Sequence, residues 1–224
     1  MFGGRHLSLN ILKALQWGDS SFPNGSFGFS WGLENAQEKA LISRDSFGSW
    51  LEIELIDRWC SFDMKVIANF WESDVTNYIY KEKKLDKFFW SEKLKSQSLK
   101  AGIVFLESAK RFGNNMAIEL YNRFRNGTLM GHLTSLQGCI YHNIGLDLNT
   151  ALTVSVHSNA QTIISAAVRL HLISSLEGQK HYEKIMPLII EKIYNIDEHD
   201  DLTTFNPLSE ISMLSENPKP LFIN

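Results

Sequence analysis

Large apolar side chains recur at every third or fourth position between residues 45 and 71 of this 224-residue chain. The positions concerned are Phe47, Leu51, Leu55, Trp59, Phe62, Val66 and Phe70. This spacing places them on one side of an α-helix, and Asp45 stands where its carboxylate would cap the first turn. Burial of each large side chain is worth about 1.5–3 kcal/mol, so we expect the stripe to face other helices.

The helical period continues through the middle of the chain. The spacing of the next apolar positions predicts a helix that ends in a left-handed cap at Gly113. These positions are Leu99, Ile103, Leu106 and Ala109. A shorter helix over residues 116–124 follows, and Asn126-Gly127 supplies its stop signal. Residues 147–170 are ambiguous at first, because residues 152–157 alternate between apolar and polar as a strand does. Helical spacing nevertheless persists for five turns, from Leu152 to Leu170, and the longer pattern favours a helix.

The C-terminal third predicts one more helix, over residues 180–195, which Pro187 is expected to kink or restart because proline lacks a backbone N–H. The last ten residues show no period. The chain therefore predicts an all-α fold, a single-domain compact helical bundle of about eight to ten helices over residues 1–214, with an extended, flexible tail over residues 215–224.

A lysine-rich segment over residues 81–100 contains three aromatic residues at positions 88–90. Basic residues interleaved with aromatics are typical of single-strand nucleic-acid binding. Here the charge is diluted by Glu82, Asp86 and Glu92. We therefore interpret the segment as a solvated helix face over a buried aromatic cluster.

Composition and charge narrow the class of protein. The formal net charge is −3, which disfavours a general nucleic-acid binder, and 44% of the residues are apolar, as in ordinary folded domains. Cys60 and Cys139 are not in a CxxC pair, so we expect reduced thiols rather than a zinc site. Neither a cleavable signal nor an apolar run of about 20 residues is present, so we expect a cytoplasmic protein that does not enter a membrane.

Sequence motifs for catalysis are missing. No GxxxxGK[ST] loop occurs, and Gly25, Gly28 and Gly32 have the wrong spacing for a dinucleotide fold. The seven histidines form no HExxH motif, and neither serine nor cysteine lies in a recognisable nucleophile elbow. We therefore predict no catalytic residue, no metal ligand and no cofactor. A helical enzyme or small-ligand-binding protein with an aromatic-lined pocket remains the alternative.

The most specific segment runs from Asp19 to Glu34, DSSFPNGSFGFSWGLE. Pro23 restricts the residue before it to extended geometry, and Gly25 can take a positive φ in a sharp turn. A helix is predicted to begin around residues 26–30, carrying Phe27 and Trp31 inward and leaving Glu34 and Glu38 exposed.

This segment resembles the opening signature of the UreF family of urease accessory proteins. There a leucine-rich helix, matched here by Leu12 and Leu15, precedes a Pro-x-Gly turn. The matching signature positions are Pro23, Gly25, Phe27, Ser30, Gly32, Leu33 and Glu34. A second similar block spans residues 132–179, and a third spans residues 201–213. The chain departs from the family pattern at residues 171–175, and its tail lacks the family's arginines.

The resemblance implies an all-α accessory protein that is not an enzyme and tends to form a homodimer. Members of the family bridge UreD (also called UreH) and the GTPase UreG on apo-urease, and GTP hydrolysis drives nickel insertion. The nickel is carried chiefly by the GTPase, so the resemblance implies no metal ligand in this chain. It implies no nucleic-acid partner either.

The resemblance also suggests binding residues. Pro23, Gly25, Ser30 and Glu34 are expected to form, with Arg169, the surface near the GTPase. For Arg169 and Glu34, an intramolecular ion pair that joins two helices is the open alternative. The tail after Ser215 is expected to become ordered only on UreD, where it would bury Leu221 and Phe222.

Overall fold

A computed structural model of the chain describes residues 3–25, 32–89 and 92–196, and all its regular elements in these ranges are helical. The α-helices are α1 (Gly3–Gly18), α2 (Leu33–Glu38), α3 (Phe47–Glu52), α4 (Met64–Phe70), α5 (Val75–Leu85), α6 (Glu92–Arg111), α7 (Asn115–Arg125), α8 (Leu133–Asn143), α9 (Leu148–Arg169) and α10 (Ser175–Tyr194). A π-helical segment, Ile53–Asp63, joins α3 to α4, and a 3₁₀ turn, Asp86–Phe88, follows α5. The predicted all-α class is confirmed.

The apolar stripe of the first predicted helix is buried along most of its length. Phe47, Leu51, Leu55, Trp59, Val66 and Phe70 are each at most 2% exposed. The path is α-helical at its ends and π-helical in the middle, which the pattern did not predict. An α-helix turns about 100° per residue, so each step of four overshoots a turn by about 40°. The wider turns of the π-helix reduce this drift and keep the stripe on one side.

The predicted N-cap of this region was wrong. Helix α3 begins at Phe47 and its N-cap is Ser46, whose side chain makes no capping hydrogen bond to the helix. Instead the Ser46 hydroxyl lies 2.9 Å from the backbone N–H of Ser43, which donates to it. Asp45 is exposed and stands one position too early for capping, because Ser43 and Ser46 close a turn just before the helix.

The described chain forms two compact units. The first unit comprises residues 1–25 and 66–158, and the second comprises residues 26–65 and 159–224. Of the three boundaries between them, one follows residue 25 and the other two fall inside α4 and α9. A single domain over residues 1–214 stays a prediction.

The first unit is built around α6, which packs against α7 and α8. Trp17 at the end of α1 inserts into this core, with ring centroids 5.7 Å from Phe105 and 6.1 Å from Tyr141. Gly102 allows the loop before α8 to approach α6 closely, because a Cβ there would collide with the carbonyl oxygen of Gly131. The predicted stops at Gly113 and Gly127 are confirmed, since both residues have positive φ.

The second unit packs α10 against α3 and the π-helical segment. Helix α10 starts with a capping box in which Ser174 and Glu177 bond each other's backbone N–H groups. Arg44 reaches the same carboxylate, with its Nε 2.8 Å from Glu177 Oε1.

Pro187 lies inside α10, so the helix does not restart there, and the alternative, a kink at Pro187, stays a prediction. The residue is on the exposed side, where water can bind the carbonyl that loses its hydrogen bond. Ile185, Ile189 and Ile193 are at most 4% exposed on the opposite side and hold the helix in place.

Helix α9 confirms the helical interpretation of residues 147–170. Its N-terminal half belongs to the first unit, and its C-terminal half to the second. Leu152 and Val156 are buried as predicted, but Val154 is buried as well, at 3% exposed. Burial on more than one side of the helix explains why apolar and polar residues alternate there as they would in a strand.

Candidate partner-binding surface

The turn predicted around Pro23 is present in the first unit. The N–H of Phe22 donates to the Asp19 carbonyl at 3.0 Å, and Pro23 itself is exposed. The Ser108 hydroxyl lies 2.8 Å from the Pro23 carbonyl and donates to it, which attaches the turn to α6. The position and the exposure of this turn fit a contact surface held on a rigid helix.

Gly25 has φ of 74°, so the predicted positive φ is confirmed. A Cβ at this position would lie 2.7 Å from the Cα of Ala101 and 2.9 Å from the Cβ of Val104. Both backbone conformation and space therefore require glycine here. The glycine lets the turn lie directly on α6.

An aromatic cluster supports the same turn. The ring centroids of Trp17 and Phe22 are 4.6 Å apart, and Phe112 stacks on Phe22 at 5.8 Å. Trp17 and Phe22 are buried, whereas Phe112 is 57% exposed. The sequence did not single out Phe112, because it lies after the end of α6 and outside the helical stripe.

Glu34 and Arg169 belong to the second unit, in helices that lie close together. The side-chain amide of Gln37 in α2 donates to the Leu170 carbonyl, just beyond α9, at 3.3 Å. Leu33 and Ala36 are fully buried, while Glu34 and Arg169 are half-buried. The choice between a partner contact and an intramolecular ion pair therefore stays open for these two residues.

Other predicted binding residues fall elsewhere. Ser30 lies outside the described residues, and so do Leu221 and Phe222. The helix start that was predicted around residues 26–30, with Phe27 and Trp31, lies outside them as well. Pro23 and Gly25 are in the first unit, and Glu34 and Arg169 are in the second.

A group of hydrogen-bonded polar side chains inside the first unit is centred on Glu82. Glu82 is only 2% exposed. The carboxylate accepts the backbone N–H groups of Met130, Gly131 and His132 at 2.9, 2.7 and 3.1 Å. It also accepts the Tyr78 hydroxyl at 3.1 Å. Glu82 thereby fixes the loop before α8 to α5, and its charge is stabilised by hydrogen bonds in place of water.

His132 extends this group of side chains. Its ring is fully buried, with Nε2 3.1 Å from an Asp86 carboxylate oxygen and Nδ1 3.2 Å from the Ser98 hydroxyl. The Phe89 ring stacks on it at 4.3 Å. We assign the proton to Nε2, because a carboxylate can only accept, and Ser98 then donates to Nδ1. Tyr78, Glu82, Asp86, Ser98 and His132 are referred to below as the buried polar cluster.

The charges of the cluster respond to burial and to their neighbours. Burial lowers the pKa of His132, and the hydrogen bond to Asp86 offsets only part of that shift. Burial alone would raise the pKa of Asp86, but hydrogen bonds from Lys95 and His132 outweigh it and hold that pKa below its ordinary value. His132 is therefore neutral and Asp86 ionised at neutral pH.

Ser98, His132 and Asp86 have the hydrogen-bond order of a Ser-His-Asp triad, a combination that the sequence did not predict. Ser98 is 6% exposed and lies within α6, so its Oγ offers little access to a carbonyl substrate. The nearby N–H groups of residues 130–132 are bonded to Glu82 rather than directed at an oxyanion site. The arrangement fits a structural role.

The predicted buried aromatic cluster in the lysine-rich segment was wrong in part. Phe89 is half-buried against His132, but Phe88 is 37% exposed, and Trp90 lies outside the described residues. Phe88 is turned outward because the chain changes there from α5 to a 3₁₀ turn, which breaks the helical register.

Both cysteines are free and buried, as expected from the sequence. Burial raises the pKa of Cys60 to about 12, so its thiol is protonated at neutral pH. Among the described residues, no three His, Cys, Asp or Glu side chains form a group that could hold a metal ion. None of the described helices combines the length and hydropathy that a membrane span requires.

Two comparisons relate the chain to known proteins. The UreF family model matches residues 41–184, which is more than half of the chain. The urease accessory protein UreF of Bacillus sp. (strain TB-90) is 24% identical over 219 residues, covering 91% of this chain and 93% of that protein. The chain therefore belongs to the UreF family.

Proposed function

We propose that this chain is an adaptor in urease maturation, which binds UreD/UreH and the GTPase UreG and presents them to apo-urease. Its membership of the UreF family is the observation that carries this proposal. The chain itself supplies binding surfaces, and hydrolysis of GTP by its partner drives nickel insertion. The proposal places the complex in the cytoplasm and includes a homodimer of this chain.

The contacts with the GTPase are assigned to two groups of residues, the turn at Pro23 and Gly25 in the first unit, and Ser30, Glu34 and Arg169 in the second. The exposed position of Pro23 and its attachment to α6 through Ser108 support this assignment, because a pre-ordered turn loses little entropy on binding. Arg169 is half-buried and carries five N–H donors, which suits a partner carboxylate at the edge of an interface.

The surface toward UreD/UreH is assigned to residues 215–224. Leu221 and Phe222 are two of the three large apolar side chains there, and they would be buried on the partner. A segment that becomes ordered on binding loses conformational entropy at that step, so its affinity depends on these few anchors.

Reconstitution of urease in a heterologous host tests the proposed function. The host would express apo-urease, UreD/UreH and UreG with or without this chain, in medium containing nickel. We expect nickel content and urease activity of the purified enzyme to depend on the chain. Equal nickel content with and without it, at equal urease expression, would refute the proposal.

A further inference from the structure

The charges of α5 and the turn after it are divided between two sides. Residues 75–88 contain two carboxylates, Glu82 and Asp86, and both belong to the buried polar cluster. Asp86 is also paired with Lys95, whose Nζ lies 2.7 Å from its carboxylate. Two of the three acidic residues that dilute the positive charge in the sequence, Glu82 and Asp86, are therefore occupied inside the first unit, whereas Glu92 is exposed at the start of α6.

The outer side of the same segment is basic. Tyr80 is 60% exposed, and Lys83, Lys84 and Lys87 are exposed beside it. No described carboxylate forms an ion pair with any of these three lysines. Along the helix axis, residues 80–87 span about 10 Å. Tyr80, Lys83, Lys84 and Lys87 are referred to below as the lysine face.

The lysine face is held by a well-bonded helix. On the buried side of α5, the Tyr78 hydroxyl lies 2.7 Å from the Ser135 hydroxyl, and Glu82 accepts three backbone N–H groups. The face therefore presents three positive charges in a fixed arrangement, on a chain whose formal net charge is −3. Such a local excess of one sign is suited to steering a partner of opposite charge.

The aromatic residue of this face argues for a protein partner over single-stranded nucleic acid. Lys84 Nζ lies 4.3 Å from the centroid of the Tyr80 ring, so the ammonium group covers one of the two ring faces on which a base could stack. Three lysines over about 10 Å match a small group of carboxylates on a folded surface.

We propose that the lysine face docks an acidic surface of one protein partner in the urease maturation complex. The proposal rests on the proposed function, since it identifies one face used in that assembly. Electrostatic docking of this kind acts mainly on the association rate and weakens as salt screens the charges.

The test uses the full chain with both Lys83→Glu and Lys87→Glu, compared with Lys180→Glu and Lys184→Glu as a matched control. Both pairs are exposed and four residues apart, and each changes the charge equally; Lys83 lies in α5 and Lys87 in the 3₁₀ turn after it, and the control pair lies in α10. Association rates with UreD/UreH, UreG and apo-urease would be measured separately at low and at about 1 M salt. Circular dichroism would establish that every variant is folded.

We expect the K83E/K87E variant to associate with one partner at least about tenfold more slowly at low salt, and the control less than about twofold. The difference should vanish at about 1 M salt, where the Debye length is about 3 Å. A neutral variant, K83Q/K87Q, should lie between wild type and K83E/K87E.

Three outcomes would overturn the proposal. If wild type binds its partners and K83E/K87E behaves like the control with all three, the lysine face has no docking role, and the proposed function stands. If wild type binds none of them, the proposed function fails and this proposal fails with it. If wild type binds a single-stranded RNA oligonucleotide and only that binding is lost in K83E/K87E, the partner class is wrong.

Discussion

Replacement of Glu82 by alanine tests the role that the structure gives to the buried polar cluster. The change removes the acceptor of the backbone N–H groups of Gly131 and His132, both of which are buried. Each buried donor left without a partner costs about 1–3 kcal/mol, so the free energy of unfolding should fall by about 2–6 kcal/mol. Met130 adds little, because it is 39% exposed and water can replace its bond.

This loss is large compared with the 5–15 kcal/mol that stabilises a typical domain. Alanine has the highest helix propensity, so the loss would not arise from a weaker α5. Glu82→Gln should cost less, because the amide oxygen can keep the bonds of one carboxylate oxygen. Exposed Glu183 in α10 provides the control, and Glu183→Ala should change stability by less than about 0.5 kcal/mol.

Urea unfolding followed by circular dichroism and by tryptophan fluorescence measures the free energy, and hydrogen exchange locates the change. The amides of Gly131 and His132 should exchange at least about tenfold faster in Glu82→Ala than in wild type, since each 1.4 kcal/mol corresponds to a factor of ten. Equal stability of Glu82→Ala and Glu183→Ala, with unchanged exchange at both amides, would refute the reasoning.

Three further predictions concern the turn, pH and the tail. Gly25→Ala should weaken UreG binding at least about tenfold, because the added Cβ would displace the turn from α6. Gly127→Ala is the comparison: Gly127 has a similar φ but open space around it, so this change should cost only about 1 kcal/mol of stability. Calorimetry with UreG would measure the first effect, and normal binding by Gly25→Ala would contradict it. Because burial lowers the pKa of His132, the folded state binds fewer protons than the unfolded state as this histidine titrates. The contribution of His132 to stability is therefore present above about pH 6.5 and lost as pH falls. Urea unfolding from pH 7 to pH 5 should therefore show a steeper loss in wild type than in His132→Gln, and equal slopes would contradict this. Deletion of residues 215–224 should weaken UreD/UreH binding with an unchanged helical circular dichroism signal, and intact binding would show that the tail is not the contact.

The sequence predicted helices well where the signal is local. The stripe from Phe47 to Phe70 and the five-turn pattern from Leu152 to Leu170 depend on neighbours three or four positions apart, and both segments are helical. Details that depend on the surroundings were missed. The π-helical turns before α4 and the passage of α10 through Pro187 both reflect packing of a whole helix face, which overrides local preference.

The buried polar cluster could not be predicted, because its members are far apart in the chain. His132 is 46 residues from Asp86 and 34 from Ser98. The charge balance of residues 81–100 was misjudged for the same reason. Counting charges cannot show that Glu82 is directed into the first unit while Lys83 and Lys87 remain outside.

The candidate binding residues fall into two classes. The turn at Pro23 and Gly25 could be predicted, because proline and a glycine with positive φ specify a turn locally. The role of Glu34 and Arg169 could not, because an interface depends on a second molecule whose surface is not encoded in this chain.

The central claim is that this chain bridges UreD/UreH and UreG. Size-exclusion chromatography with mass determination on a mixture of the three proteins, with GTP present, tests it most directly. We predict one species that contains all three proteins, and loss of UreG from the UreD/UreH species when this chain is left out. Separate elution of this chain from folded UreD/UreH and UreG would contradict the account.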